Sequence, residues 1–156
     1  RITENFKLSS GTWVHVGMLR VAFVSACAPV VEDVVIAGQD RDEITGIVFP
    51  SLAGCRSLCP HLPDGAKAAE LVMQPTVRRA LSDGLARLNR NGGGSSRQVA
   101  RAVFVTEPAR LDTGEITDKG YLNQRAILTQ RSTLVERLYA APFGEDIVIP
   151  ALETAS

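Results

Sequence analysis

The spacing of apolar residues divides the chain into a short opening, a run of strands and helices, and a tail with no clear pattern. Phe6 and Leu8, then Ser9-Ser10-Gly11-Thr12, then Trp13, Val14 and Val16 read as two short strands around a polar turn, a β-hairpin with glycine where a positive φ is needed. Over residues 16–27 the apolar side chains Met18, Leu19, Ala22, Phe23 and Ala26 recur at three- and four-residue spacing, which predicts a helix stopped by Pro29. Residues 31–37 and 44–49 are β-branched runs joined by the polar stretch 38–43, and are expected to pair as core strands. Residues 51–65, with Pro60 and Pro63 following Pro50, read as an irregular surface loop. A short helix over 66–73 and a longer one over 76–89 come next. In the longer one, Val77, Leu81, Leu85 and Leu88 make a single stripe with Arg78, Arg79, Arg87 and Arg90 off it. A strand over 100–106 precedes a final helix of roughly five turns carrying Leu122, Ala126, Ile127, Leu134, Val135 and Leu138. The fold class expected is α+β, a small sheet flanked by helices with an N-terminal hairpin.

Composition narrows the function classes. With 156 residues, 45% of them hydrophobic, one domain is the natural count. A formal net charge of zero offers no basic face for general nucleic-acid or anionic-membrane binding, and the arginines of 76–89 have no aromatic residues interleaved for stacking on bases. No apolar run reaches the ~20 residues of a membrane span, and no secretory signal pattern opens the chain, so the cytoplasm is the default compartment. Asn91-Gly92-Gly93-Gly94-Ser95-Ser96 suits a mobile loop. It lacks the Gly-Lys-Ser/Thr of a phosphate loop and lies between a helix and a strand, the reverse of that motif's order.

Candidate chemistry is sparse. Cys55, Cys59 and His61 group possible zinc ligands, but a fourth would have to come from Cys27 in an apolar helix pattern or from far away, so buried or loop thiols are expected and no metal. The two histidines, His15 and His61, are far apart and share no nucleophile–base motif, which argues against a free-standing enzyme. Lysine is the residue type that stands out. Only Lys7, Lys67 and Lys119 occur against fourteen arginines, and Lys119 sits in the polar turn Gly114-Glu115-Ile116-Thr117-Asp118-Lys119-Gly120 just ahead of the last helix pattern. A compact ammonium on a flexible stem suits a mobile phosphate or carboxylate, while a solvated surface charge is the plain alternative.

Arg1-x5-Lys7-Leu8-x2-Gly11-x2-Val14, a following helix, the strand Asp33-Val34-Val35-Ile36-Ala37-Gly38 and the late Gly-Glu-Ile-Thr-x-Lys loop before an arginine-bearing helix resemble, in that order, the C-terminal domain of adenylate-forming acyl-CoA synthetases, with feruloyl-CoA synthase the nearest likeness. The resemblance runs from Arg1 to about Ala140. It implies a ligase that converts a small-molecule carboxylate and ATP, with Mg2+, to an acyl-adenylate and pyrophosphate, then lets the thiol of coenzyme A (CoA) displace AMP. This chain, residues 1–156, would be the swinging lid, its partner being an N-terminal adenylation domain that holds most of the ATP, CoA and acyl pockets. Alone it is expected to be inactive. By the same resemblance Lys119 is the adenylation lysine, Arg1 the nucleotide-ribose contact and Lys7 a basic residue beside the adenylate or CoA. Gly11 faces the active site in the thioester-forming orientation, and Thr3 or Glu4 is the hinge. Family members commonly place Gly before the lysine and Arg three residues after it; here Asp118 precedes Lys119, Arg125 lies six residues on, and Tyr121 is the other position that aligns. A non-catalytic interaction module, or a metal-binding module on Cys55, Cys59 and His61, is the alternative of a different class.

Overall fold

The computed structural model describes residues 4–91 and 94–152. Its opening is the expected hairpin in miniature: β1 (Phe6–Lys7) pairs antiparallel with β2 (Trp13–Val14), Phe6 opposite Val14 and Lys7 opposite Trp13. Gly11 turns the chain between them at φ +88°, a conformation that a side chain would strain. Asn5 then serves the next element, because its Oδ1 accepts the N–H of Val16 at 3.0 Å. That bond satisfies a donor at the start of α1 (Val16–Ala26), where His15 supplies no side-chain cap.

The main sheet has the order β3 (Val31–Ala37), β4 (Ile44–Pro50), β5 (Val99–Phe104), β6 (Ile147–Val148). β3 and β4 form an antiparallel pair, as their β-branched runs predict. β4 and β5 are parallel, so the chain between them must cross over, and that crossover carries α2 (Leu52–Ser57), α3 (Ala68–Val72) and α4 (Pro75–Asn91). Strand alternation then sorts side chains onto two faces. One face, with Val34, Ile36, Ile44, Val48 and Phe104, packs on Leu19 and Phe23 of α1 and on Val77, Leu81 and Leu85 of α4. The opposite face, with Val35, Ile47, Phe49, Val103 and Ile147, packs on Ile127 of α5 (Gln124–Gln130) and Leu138 of α6 (Ser132–Tyr139). The architecture is α+β, as expected.

Four local expectations need correction. Residues 51–65 are not wholly irregular: Ser51 accepts the N–H of Gly54 at 3.2 Å and starts α2, a helix too short to show a period. The helix expected over 66–73 shrinks to α3. The five-turn final helix is two helices, broken at Arg131 (φ −109°, ψ 33°), whose guanidinium is drawn away to partners described below. The tail after Ala140 contributes the edge strand β6, two residues being too few for alternation to register. A further sequence feature, Gly92-Gly93, lies outside the described residues.

Candidate functional site

A cleft of about 1040 Å³ lies between the opening hairpin, the 38–40 turn and the segment 117–128. Lys7, from β1, and Lys119, from the late polar turn, both line it, together with Glu4, Arg20, Trp13 and Arg125. Residues more than a hundred positions apart in sequence are thus brought to one concavity, the hairpin docking on the 38–41 turn and α5 on β3.

The Lys7 side is built by hydrogen bonds between two turns. The N–H of Asp40, itself at φ 61°, donates to the Lys7 carbonyl at 2.9 Å, and the N–H of Ser9 donates to the Arg41 carbonyl at 2.9 Å. Gly38 lets them approach, since a Cβ there would stand 3.1 Å from the Glu43 carbonyl oxygen and 3.2 Å from the Phe6 ring. The Lys7 ammonium lies 5.0 Å from the centroid of the Trp13 ring, which is 52% exposed. A cation over an indole face is held without an opposing carboxylate and stays available to an anion.

The Lys119 side is a small hairpin. Ile116 and Leu122 bridge antiparallel, the N–H of Thr117 donates to the Tyr121 carbonyl at 2.8 Å, and the Thr117 hydroxyl oxygen accepts the N–H of Tyr121 at 3.1 Å. Gly120 closes the tip at φ +87°. The root is fixed at Glu115, whose carbonyl accepts the N–H of Asn123 at 2.8 Å, and Asn123 in turn caps α5 by accepting the N–H of Ala126 at 3.2 Å.

Glu115 is the buried carboxylate of the region, 2% exposed. Arg131 donates to its two oxygens at 2.8 and 3.0 Å, and the N–H of Arg110 donates to it at 3.0 Å. The Arg131 side-chain bonds, foremost, hold the Glu115 carboxyl below the usual carboxylate range, against the opposing effect of burial. The same guanidinium donates to the carbonyls of Glu107 and Pro108, both at 3.1 Å, and lies over the Phe49 ring. This set of bonds explains why the helix breaks at Arg131 and keeps the Lys119 hairpin on a rigid base.

Charge in the cleft is mixed. Neither Lys119 nor Arg125 has an ion-pair partner among the described residues, whereas Arg20 donates to both Asp33 oxygens at 3.0 and 2.8 Å and lies 3.8 Å from Glu4. Asp40 and Asp118 add carboxylates to the rim. Free ammonium and guanidinium groups suit phosphate or carboxylate oxygens, and carboxylates beside them suit hydroxyl donors.

Of the residues singled out from sequence, Lys7, Lys119 and Glu4 therefore line one cleft. Gly11 sits at the exposed tip of the first hairpin, with no atom within 4 Å of where a Cβ would stand. Arg1 and Thr3 lie outside the described residues. Tyr121 is on the cleft wall, 70% exposed. Arg20, Asp40 and Gln124 were not anticipated; a lone arginine in the otherwise apolar run 16–27 was the available signal for the first.

Cys27, Cys55 and Cys59 are all buried free thiols. Burial, with Cys59 nearby, pushes the Cys55 thiol up to about 11, and burial pushes that of Cys27 up to about 12, so both stay protonated. His61 is exposed and pairs with Gln74 at 3.1 Å. Among the described residues no three His, Cys, Asp or Glu side chains are grouped to hold a metal ion. None of the described helices is long and apolar enough to cross a membrane.

Neither a known protein-family model nor a curated protein matches the chain. Solved structures do. The A domain of carboxylic acid reductase from Segniliparus rugosus, in complex with AMP and a co-purified carboxylic acid, is 21% identical with a TM-score of 0.63 over 89% of this chain. The A-PCP didomain of that reductase, in complex with AMP, is 23% identical with a TM-score of 0.64 over 90%. The adenylation domain of a carboxylate reductase from Mycobacterium chelonae is 18% identical with a TM-score of 0.65 over 89%. This chain spans 20%, 18% and 20% of those three chains. The likeness shows the fold, which this chain shares with part of these adenylation domains.

Proposed function

We propose that this chain is the C-terminal lid domain of an ATP-dependent acyl- or aryl-CoA ligase, feruloyl-CoA synthase-like, in which Lys119 is the adenylation lysine. The observation that carries the reading is the meeting of Lys119 and Lys7 in one cleft, on a fold shared with adenylation domains seen with AMP. In the first half-reaction a carboxylate oxygen attacks the α-phosphorus of ATP and pyrophosphate leaves. Anion attacks anion, so a positive charge placed where negative charge gathers lowers the barrier. Lys119, at the tip of a hairpin with a rigid root and no competing carboxylate partner, is built to deliver that charge. In the second half-reaction the sulfur of CoA attacks the acyl carbonyl and AMP leaves. Mg2+ arrives bound to ATP, and the large N-terminal adenylation domain contributes the remaining contacts. Lys7 lies beside the adenylate or CoA, Arg1 on the ribose, with Thr3 or Glu4 at the hinge and Gly11 facing the thioester step.

The test is Lys119→Ala in the full-length protein. ATP–pyrophosphate exchange is expected to fall by on the order of 10²- to 10³-fold, the cost of removing one transition-state charge donor. Thioester formation from supplied acyl-adenylate is expected to stay within a few-fold. Undiminished exchange would instead favour an interaction module in which Lys119 is a surface charge.

A further inference from the structure

The Lys119 hairpin ends in a side chain for which the adenylation chemistry has no use. Gln124, the first residue of α5, is 3% exposed, and its Oε1 accepts the N–H of Ile36 at 2.9 Å. β3 is the edge of the four-stranded sheet, so N–H groups turned away from β4 meet no strand. Two of them, of equal parity, are taken by side-chain oxygens: Val34 by Asp33 at 2.8 Å, and Ile36 by Gln124. An unpaired buried N–H is costly and an open edge invites foreign pairing, which accounts for polar acceptors here. It does not account for the second acceptor standing one residue beyond Asn123, where the Lys119 hairpin closes onto Glu115.

Asn123 joins hairpin root to helix start, and Gln124 joins helix start to strand edge. Along that same edge lie Asp33, Arg20 and Glu4, the last two on the cleft wall with Lys7. We infer that Gln124 is a positioning residue, whose single bond to the Ile36 N–H registers the Lys119 hairpin against the Lys7 wall of the cleft. The inference rests on the role given to Lys119 above. Arg131 and Glu115 stiffen the hairpin's other root, but they tie it to residues 107–110 rather than to the sheet edge. Among the described residues, Gln124 is therefore the polar link from hairpin to sheet edge.

Four variants of the full-length protein test it: Lys119→Ala, Gln124→Met, Gln124→Glu and Asn89→Leu. Gln124→Met removes the acceptor at similar length, while Gln124→Glu keeps an oxygen at the same reach. Asn89→Leu is a matched control, because Asn89 also bonds a strand end, exchanging two hydrogen bonds with Val99 at 2.8 and 2.9 Å, away from the cleft. Gln124→Met is expected to lower kcat for ATP–pyrophosphate exchange roughly 10- to 100-fold, the scale of a misplacement of about 1 Å, with KM for ATP and the thioester step little changed. Gln124→Glu recovers most of the loss. Asn89→Leu lowers Tm but leaves the ratio of the two half-reactions as it was. Trypsin cleavage at Lys119–Gly120, followed by mass spectrometry, is faster in Gln124→Met and unchanged in Asn89→Leu. Exchange lost in Lys119→Ala but intact in Gln124→Met overturns the inference, as does unchanged cleavage. If Lys119→Ala itself keeps full exchange, the function reading falls, and the cleavage rate alone then decides whether Gln124 registers the hairpin.

Discussion

On one face of the main sheet, α1 and α4 cover Ile36, Ile44 and Val48 with Phe23, Leu81 and Leu85, side chains that carry no polar atom. On the other, α5 and α6 cover Val35 and Ile47 with Ile127 and Leu138, but they also hang on Gln124, Arg101, Arg131 and Tyr139. Arg101, 8% exposed, donates to the Leu138 carbonyl at 2.6 Å and to Glu43 at 2.9 Å, with its guanidinium over the Phe143 ring. Tyr139 receives the Thr45 hydroxyl at 3.1 Å and donates to the Glu43 carbonyl at 2.7 Å, and burial pushes its phenol up. Apolar burial is strong and non-directional, so the first face supplies cohesion. Hydrogen bonds and ion pairs add little net free energy but fix geometry, so the second face supplies orientation. The hairpin that carries Lys119 is attached to the second.

The widest separation of the two faces comes from truncating each. Phe23→Ala, at a fully buried ring packed over Gly46, is expected to cost about 3–5 kcal/mol by denaturant unfolding, with the ratio of the two proposed half-reactions unaltered. Arg131→Met strands the buried Glu115 carboxylate and is expected to cost about 3 kcal/mol, as removal of one partner of a buried pair does. The double variant Arg131→Met/Glu115→Leu sharpens the contrast: it is expected to regain most of that stability, since an apolar pair can replace a buried ion pair, while the adenylation proposed above stays impaired because the orienting bonds are gone. Recovery of both properties together would show that the second face is ordinary core.

Acid titration gives a smaller effect with a defined sign. Glu115 is held below the ordinary carboxylate range in the folded chain, foremost by its hydrogen bonds to Arg131. Its stabilising contribution is therefore complete above the unfolded value near ~4.3 and drains away as the pH falls below it through the lowered folded value. In Glu115→Gln this part of the acid dependence is expected to vanish from the curve of unfolding free energy against pH. The least effect is expected outside both faces: Met18→Ser and Val21→Ser, on the exposed side of α1 at 66% and 73% exposure, should move stability by no more than about 0.5 kcal/mol.

The cohesive face was the legible one. Val77, Leu81, Leu85 and Leu88 of α4 recur at helical spacing and are all buried, and the strands 31–37 and 44–49 stand out as β-branched runs, because burial on that side is a matter of period alone. The orienting face was misread where a polar side chain decides the backbone. Arg131 continues an apparent helix pattern, and only its partners Glu115, Glu107 and Pro108, more than fifteen residues back, break it. Gln124 looks like any polar residue at a helix start until Ile36, 88 residues away, is beside it. The cleft was half visible: Lys7 and Lys119 drew notice through the rarity of lysine and a resemblance of motifs, whereas Arg20 and Asp40 are ordinary surface letters whose place depends on how two turns dock.

Trp13 gives the cleft an optical readout. It is the only tryptophan in the chain, half exposed on the wall, with the Lys7 ammonium over its ring. Emission excited selectively from tryptophan in this domain therefore comes from one place. A ligand or neighbouring domain that covers the indole, or draws Lys7 from its face, changes the polarity around the ring and shifts its spectrum.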